Sequence, residues 1–367
     1  MARSGVAGPR LPFTAWVAIA ALAAACVQDV HRIGPIAPPS PPRRTEVRVL
    51  LFGDFGYRTS LQWLAARALR NESRARPFDL ALQLGDNLYM CGPDPARPGA
   101  GACRFAADGA AVEPGATPDD PIFRVNEGPL TGLVGRDGAA LPIFLALGNH
   151  DVGWGSGCAV PGLTADEAAR RRACLSVARR TPTWTMPARH YVVDRGPVRL
   201  VVVDTNVVVA DYGGFTLDDE IAFVHEATEA CGESRQCFLA GHHPPASVHG
   251  YGRGRPPAYH ARMARLVAAA GGRARAFFAG HVHTLEHLSL GALEVFVSGS
   301  TAMGGRQRFR FRWPAAAQLH FATSAVGFAV LEADAAGYRV RFVDPSGDAL
   351  HCCEAARTGP CRPVECS

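Results

Sequence analysis

"FLAGHHPP" (residues 238–245) and "FFAGHVHT" (residues 277–284) nearly repeat each other, each a short apolar run closed by Ala-Gly-His. A continuous apolar run of this length bounded by glycine is the pattern of a strand buried on both faces. The glycine lets the backbone turn tightly where the strand ends. Three other stretches follow the same plan: "VLLFGDFG" (49–56), "LALQLGDNLY" (80–89) and "IFLALGNHD" (143–151). Each places polar side chains just past an apolar run. Ligands in open α/β sheets collect beyond the carboxyl ends of the strands. These five ends would therefore bring Asp54, Asp86, Tyr89, Asn149, His150, His242, His281 and His283 into one place.

Between and around these strands lie helical patterns. Leu61, Leu64, Ala65, Ala68 and Leu69 have helical spacing within 59–74, and further helices are expected near 217–230 and 257–270. Strands are expected at 46–54, 79–86, 141–151, 198–206 and 292–300, with a hairpin over 326–344. Apolar strands alternating with helices indicate an α/β fold with mostly buried sheets. One catalytic domain over 46–345 is expected, followed by a cysteine-rich tail over 346–367. Residues 90–140 are rich in Gly, Pro and Asp and read as an irregular excursion bordering the site. In "RQRFRFRW" (306–313) arginines alternate with Gln and Phe, which fits a solvated strand face better than a phosphate-attracting rim.

At 48% hydrophobic and 19% charged, the 367-residue chain has the composition of a globular protein. All 38 basic residues are arginine, and the net charge of +5 is too small to argue for nucleic-acid binding. It supports mild attraction for anionic substrates. Residues 1–26 read as a targeting segment: a basic start, an apolar run over 11–25, then Cys26. That run is shorter than the roughly 20 residues of a membrane span. "LAAAC" is similar to a bacterial lipoprotein box, in which Cys26 would carry the lipid and tether the protein; a plain signal ending in Ala-x-Ala is the other reading. Both imply export to the periplasm, the cell surface or the medium. Residues 27–45, which include "GPIAPPSPPRR", form a proline-rich linker. Setting Cys26 aside leaves ten of the 11 cysteines, an even number that suits disulfides in an oxidising compartment. Spacing suggests Cys91–Cys103, Cys158–Cys174 and Cys231–Cys237, with Cys352, Cys353, Cys361 and Cys366 pairing among themselves, although spacing alone leaves the partners open.

Taken singly, each motif has an ordinary explanation. An Asp after a strand glycine is a common turn or helix cap, Tyr89 could simply pack, and His150 with Asp151 could be a surface pair. Five such motifs at successive strand ends are a different matter. Carboxylate, amide and imidazole donors together suit Fe, Zn or Mn. A shared carboxylate permits two ions about 3.5–4 Å apart.

With these residues the chain resembles the calcineurin-like metallophosphoesterases, and among them the purple acid phosphatases of the small, mammalian type. The resemblance rests on "GDFG", "GDNLY", "GNHD", "GHHP" and "GHVH" in order, on Tyr89 three residues after Asp86, and on "WTMP" before Tyr191 and "VVVDT" at 201–205. It implies a four-layer αββα sandwich of two mixed β-sheets flanked by helices. It also implies a binuclear metal centre: Asp54, Tyr89 and His283 on ferric iron, Asn149, His242 and His281 on a divalent Fe, Zn or Mn, and Asp86 between the two. His150 would contact the substrate, oriented by Asp151, and His249 is the nearest candidate for a second catalytic histidine. His243 is left as a loop residue. The implied activity is hydrolysis of small phosphate monoesters by attack of metal-bound hydroxide, in a monomer. A phosphodiesterase or nucleotide hydrolase on the same fold, and a surface protein binding phosphate or metal without turnover, are the competing readings.

Overall fold

The computed structural model describes residues 46–106, 109–112, 120–231, 235–248, 257–304 and 313–366. His249, Cys26 with the whole of 1–45, and the arginine-bearing stretch 306–312 lie outside the described residues.

Strand Glu46–Phe52 shows how the layers arise. Successive side chains of a strand point to opposite faces. Val47, Val49 and Leu51 pack with Leu200, Phe238 and Phe277 of a second sheet. Leu50 and Phe52 face the other way, onto Ala65, Ala68 and Leu69 of helix Ser60–Ala75. That helix starts at an N-cap, Thr59, whose side chain accepts from the Gln62 N–H. Its buried face also includes Gln62 and Ser73, while Leu61 and Leu64 are only half-buried. Gln62 is held by bonds from its side-chain amide to the Phe55 and Val125 carbonyls.

Among the described residues, one sheet has nine strands and the other seven. In the first, Glu46–Phe52, Leu80–Gln83 and Ile143–Leu145 run parallel, and Phe328–Asp334 joins antiparallel. Phe328–Asp334 and Gly337–Val343 form the expected hairpin, and Ala349–Ala356 adds beyond it. In the second sheet, Val198–Val202, Gln236–Ala240, Ala274–Ala279 and Leu293–Ser298 run parallel. Antiparallel Tyr191–Arg195 and Leu285–Leu290 complete its mixed character. Helices Leu217–Glu229 and Pro257–Ala269 cover its outer face through Phe223, Val224, Met263 and Leu266. The first of them opens with a capping box between Thr216 and Asp219. Helix, sheet, sheet, helix is the four-layer α/β order.

The described part of the excursion over 90–140 is more ordered than its composition suggests. It holds the two-stranded ribbon Arg104–Phe105 with Ala111–Val112, and the helix Phe123–Leu130. Gly128 and Pro129 within that short helix mask its periodicity. The ten cysteines among the described residues form five disulfides, which suits an oxidising compartment. Cys231–Cys237 is as spacing suggests, and the last four pair as Cys352–Cys366 and Cys353–Cys361. The other two cross: Cys91 pairs with Cys158 and Cys103 with Cys174, not Cys91–Cys103 and Cys158–Cys174. Helix Ala165–Ala178 packs against the excursion and buries Cys174 beside Cys103, Ala100 and Leu175, so the spatial neighbour is not the sequence neighbour. No helix among the described residues is long and apolar enough to cross a membrane.

Candidate metal centre

Both sheets contribute to one site because their parallel strands end side by side. Gly53 N–H donates to Ser298 O at 2.7 Å, crossing from one sheet to the other, and Asp54 N–H to Gly85 O at 3.0 Å. Gly280 N–H donates to His242 O at 3.0 Å, which joins the two Ala-Gly-His ends directly. The close approach explains the glycines. A Cβ on Gly280 would sit 2.6 Å from Leu84 O and 2.7 Å from Asp54 Oδ2. One on Gly85, whose φ is +84°, would meet His242 Nδ1 at 2.6 Å. Asp54, Asp86 and His281 have φ of 57°, 51° and 67°, and among the described residues no other non-glycine residue has positive φ. Left-handed backbone costs such residues about 1–3 kcal/mol each. Here it aims all three side chains into the same space.

Each carboxylate uses one oxygen to hold the scaffold. Asp54 Oδ2 accepts from His281 N–H at 2.8 Å, and Asp86 Oδ1 from His150 N–H at 2.9 Å. The remaining oxygens meet the cluster. Tyr89 Oη lies 3.0 Å from Asp54 Oδ1 and 2.9 Å from Asp86 Oδ2, with His283 Nε2 at 3.4 Å. On the other side, Asn149 Oδ1 is 3.1 Å from His242 Nε2 and 2.9 Å from His281 Nδ1. Asp86 Oδ2 also lies 3.2 Å from His242 Nε2, so this one atom touches both groups. The seven sequence-derived ligand candidates thus converge, sorted into Asp54–Tyr89–His283 and Asn149–His242–His281 with Asp86 between. His242 Nδ1–H donates to Leu84 O at 2.8 Å, which leaves the Nε2 lone pair facing the cluster.

The charges show what the site favours. Asp54 and Asp86 are buried, and burying a carboxylate is costly unless a cation is near. Burial alone would lower the His242 pKa, yet the Asp86 carboxylate raises it to about 9. Burial likewise opposes His283, which Asp54 pulls upward. Asp86 is held below the usual carboxylate range against its burial, by His242 and then His150. Burial, followed by the charges of Asp54 and Asp86, raises the Tyr89 hydroxyl well above its ordinary value. The cluster draws protons onto its histidines where metal ions would supply positive charge. Asp54, Asp86 and His242 place one donor atom each within 4.8 Å of one another, and so do His242, His243 and His281. Donor set and charge both fit bound transition metals.

His150 stands beside this cluster. Its Nδ1 is 2.6 Å from Met90 O and its ring packs on Tyr89 with centroids 4.2 Å apart. Nε2 therefore points inward, 4.0 Å from Asp86 Oδ2, on a half-buried side chain that a substrate can reach. Asp151 does not orient this ring. Its carboxylate accepts from Gly148 N–H at 2.7 Å, Leu88 N–H at 2.9 Å, and Asn87 N–H and Nδ2 at 3.2 and 2.8 Å. It staples the "GDNLY" turn to the "GNHD" turn.

Two further residues of the site are not apparent from sequence spacing. His243 is fully buried, with its ring 4.4 Å from that of His281. Thr205 Oγ1 accepts from His242 N–H at 3.1 Å and His243 N–H at 2.9 Å, and lies 2.9 Å from His243 Nδ1. The signal for Thr205 was its place directly after the strand "VRLVVVD" (198–204), the same place that the five motifs occupy.

A family model for calcineurin-like phosphoesterases matches residues 47–285. No curated protein matches the chain in sequence. Solved structures match most of it. GAP50, the anchor in the inner membrane complex of Plasmodium, has a TM-score of 0.63 at 17% identity, over 86% of this chain and 90% of that one. Purple acid phosphatase PPD1 from yellow lupin (Lupinus luteus) seeds has a TM-score of 0.59 at 15% identity, over 87% of this chain. The match spans 55% of the lupin protein. PhoD has a TM-score of 0.54 at 12% identity, over 90% of this chain and 73% of PhoD. At these identities the likeness is one of fold.

Proposed function

The chain belongs to the calcineurin-like phosphoesterase family, and on that premise we propose that it is an exported acid phosphatase hydrolysing small phosphate monoesters at a binuclear metal centre. The observation that carries the reading is the Tyr89 hydroxyl, 3.0 Å from Asp54 and 2.9 Å from Asp86, because a phenol among the ligands marks the purple acid phosphatases. Asp54, Tyr89 and His283 would hold ferric iron, Asn149, His242 and His281 a divalent iron, zinc or manganese ion, and Asp86 both. When bound, the ions supply Lewis acidity, charge neutralisation at phosphorus and acidification of water.

The protein's own groups do the rest. Leu84 O fixes the His242 ring, and the backbone N–H groups of His281 and His150 fix the carboxylates. His150, anchored through Nδ1 at Met90 O, presents Nε2 to the ester, where it binds a phosphate oxygen or protonates the leaving alkoxide. The five disulfides suit an oxidising compartment. Delivery there would be by a signal ending before Cys26 or by lipidation of Cys26 itself.

The test is hydrolysis of monoesters, diesters and nucleotides by the purified protein, with and without chelator. Monoester cleavage lost to chelator and restored by metal is the expected result. A preference for diesters or nucleotides would move the substrate class. A second reading, a surface protein without turnover, takes its support from the likeness to GAP50, an anchor. Full metal occupancy with no hydrolysis would favour it.

A further inference from the structure

Farther along the second sheet, a separate set of imidazoles surrounds a buried carboxylate. Strand Leu285–Leu290 contributes His287, its neighbour Leu293–Ser298 contributes Glu294, and Gln318–Thr323 contributes His320. One donor atom from each lies within 4.8 Å of the other two. His287 and Glu294 are buried and His320 is half-buried. None of the three belongs to the strand-end centre.

The surroundings are those of an oriented ligand set. His287 Nε2 lies 3.1 Å from Glu294 Oε2, and His287 Nδ1 lies 2.9 Å from Nε2 of His351, which comes from the other sheet. Glu294 Oε1 accepts from Cys361 N–H at 3.0 Å, and Ser289 Oγ is 2.9 Å from His320 Nε2. Phe296 stacks on His287 with centroids 4.5 Å apart, and Phe321 on His351 at 4.7 Å. Burial lowers the pKa of His287, and burial with the two neighbouring imidazoles lowers that of His351 to about 4. Both shifts favour the neutral ring, the form that binds metals. A carboxylate and three imidazoles are costly to bury between sheets that hydrophobic side chains could fill.

We propose that His287, Glu294 and His320 form a further cation site, taking one divalent transition-metal ion, with zinc the best match to two imidazoles and a carboxylate. His351 is a positioning residue. Tetrahedral bonds of about 2.0–2.1 Å set ligand atoms roughly 3.4 Å apart, so the three side chains need only small rotations to close on an ion. The ion takes the place of the proton between His287 Nε2 and Glu294, and the neutral ring carries its one proton at Nδ1 instead. Nδ1–H of His287 then donates to His351 Nε2. The ion would thereby tie three neighbouring strands of the second sheet together, with His351 steadying the His287 ring from the other sheet, and its role is structural.

The test counts ions in the full chain. Wild type and His320→Gln are stripped with chelator, dialysed against Zn²⁺, freed of excess by gel filtration, and analysed for zinc per chain. One ion fewer is expected in His320→Gln, with p-nitrophenyl phosphate hydrolysis unchanged. Equal zinc in the two overturns the proposal. Because the readout is a difference, it stands however many ions the strand-end centre takes, and failure of that centre would lower both counts together. Glu294→Gln keeps the side-chain shape and should lose the same ion while the chelated protein melts as wild type does. A variant that melts normally and keeps its zinc shows a hydrogen-bonded core and nothing more. Wild type also tests the proposal alone: with the strand-end centre saturated it should take up one further Zn²⁺, and uptake of none would end the argument.

Discussion

Thr205→Val should destabilise the protein out of proportion to its size, because a single hydroxyl there meets three polar groups. Thr205 is fully buried. Its oxygen accepts from the His242 and His243 N–H groups at 3.1 and 2.9 Å, and its proton points to His243 Nδ1 at 2.9 Å. A hydroxyl has one donor and two acceptor positions, and all are in use. Valine keeps the shape and supplies none of them. Two buried N–H groups then lose their acceptor at about 1–3 kcal/mol each, for a total of about 2–6 kcal/mol. At roughly 2 °C per kcal/mol for a domain of this size, Tm should fall by on the order of 8 °C. Thermal unfolding should be followed in chelator, so that metal loss does not contribute. Thr205→Ser, which keeps the hydroxyl, should recover most of the loss. Since Thr205 fixes the turn that carries His242, the valine variant should also bind the second ion more weakly. A Tm within a degree or two of wild type would refute the claim that Thr205 holds this turn.

Four other outcomes are expected. His150→Ala should keep both metals but lose turnover by about 10²–10⁴-fold if the ring is a general acid, and lose less on nitrophenyl esters, whose leaving group needs little protonation; loss of metal would make it a ligand instead. Tyr89→Phe should abolish a visible charge-transfer band in the oxidised iron enzyme, and a colourless, fully metallated wild type would refute the tyrosinate. Burial raises the Glu286 pKa from 4.5 to about 7 against bonds from Val248 N–H, Thr284 and Ser247, so its contribution to stability is present below pH 4.5 and is lost as pH rises through about 7. Glu286→Gln should remove that slope, a difference on the order of 3 kcal/mol by pH 8, and parallel Tm–pH curves for the two proteins would count against it. Peptide mapping without reduction should recover Cys91 linked to Cys158 and Cys103 to Cys174, whereas Cys91–Cys103 peptides would contradict the packing of helix Ala165–Ala178.

Much of the site was legible because buried parallel strands leave continuous apolar runs, and each of these runs is closed by glycine. The strand-end positions of Asp54, Asp86, Asn149, His242 and His281 follow from that pattern alone. Helix Phe123–Leu130 was hidden by its own Gly128 and Pro129, and the buried face of Ser60–Ala75 extends beyond its apolar spacing because two polar residues, Gln62 and Ser73, are satisfied by carbonyls outside the helix.

Neighbours along the chain fix the α/β class, most of the order of strands and helices, and the polar groups delivered at the strand ends. Spacing along the chain does not say which of these groups meet. The sorting of seven side chains into two sets around Asp86, the staple made by Asp151, the burial of His243 under Thr205 and the crossed disulfides all join residues tens of positions apart. Periodicity records which way a side chain faces its own strand or helix. A hydrogen bond or a disulfide needs its partner within a few ångströms, and that distance exists only once the two sheets have packed.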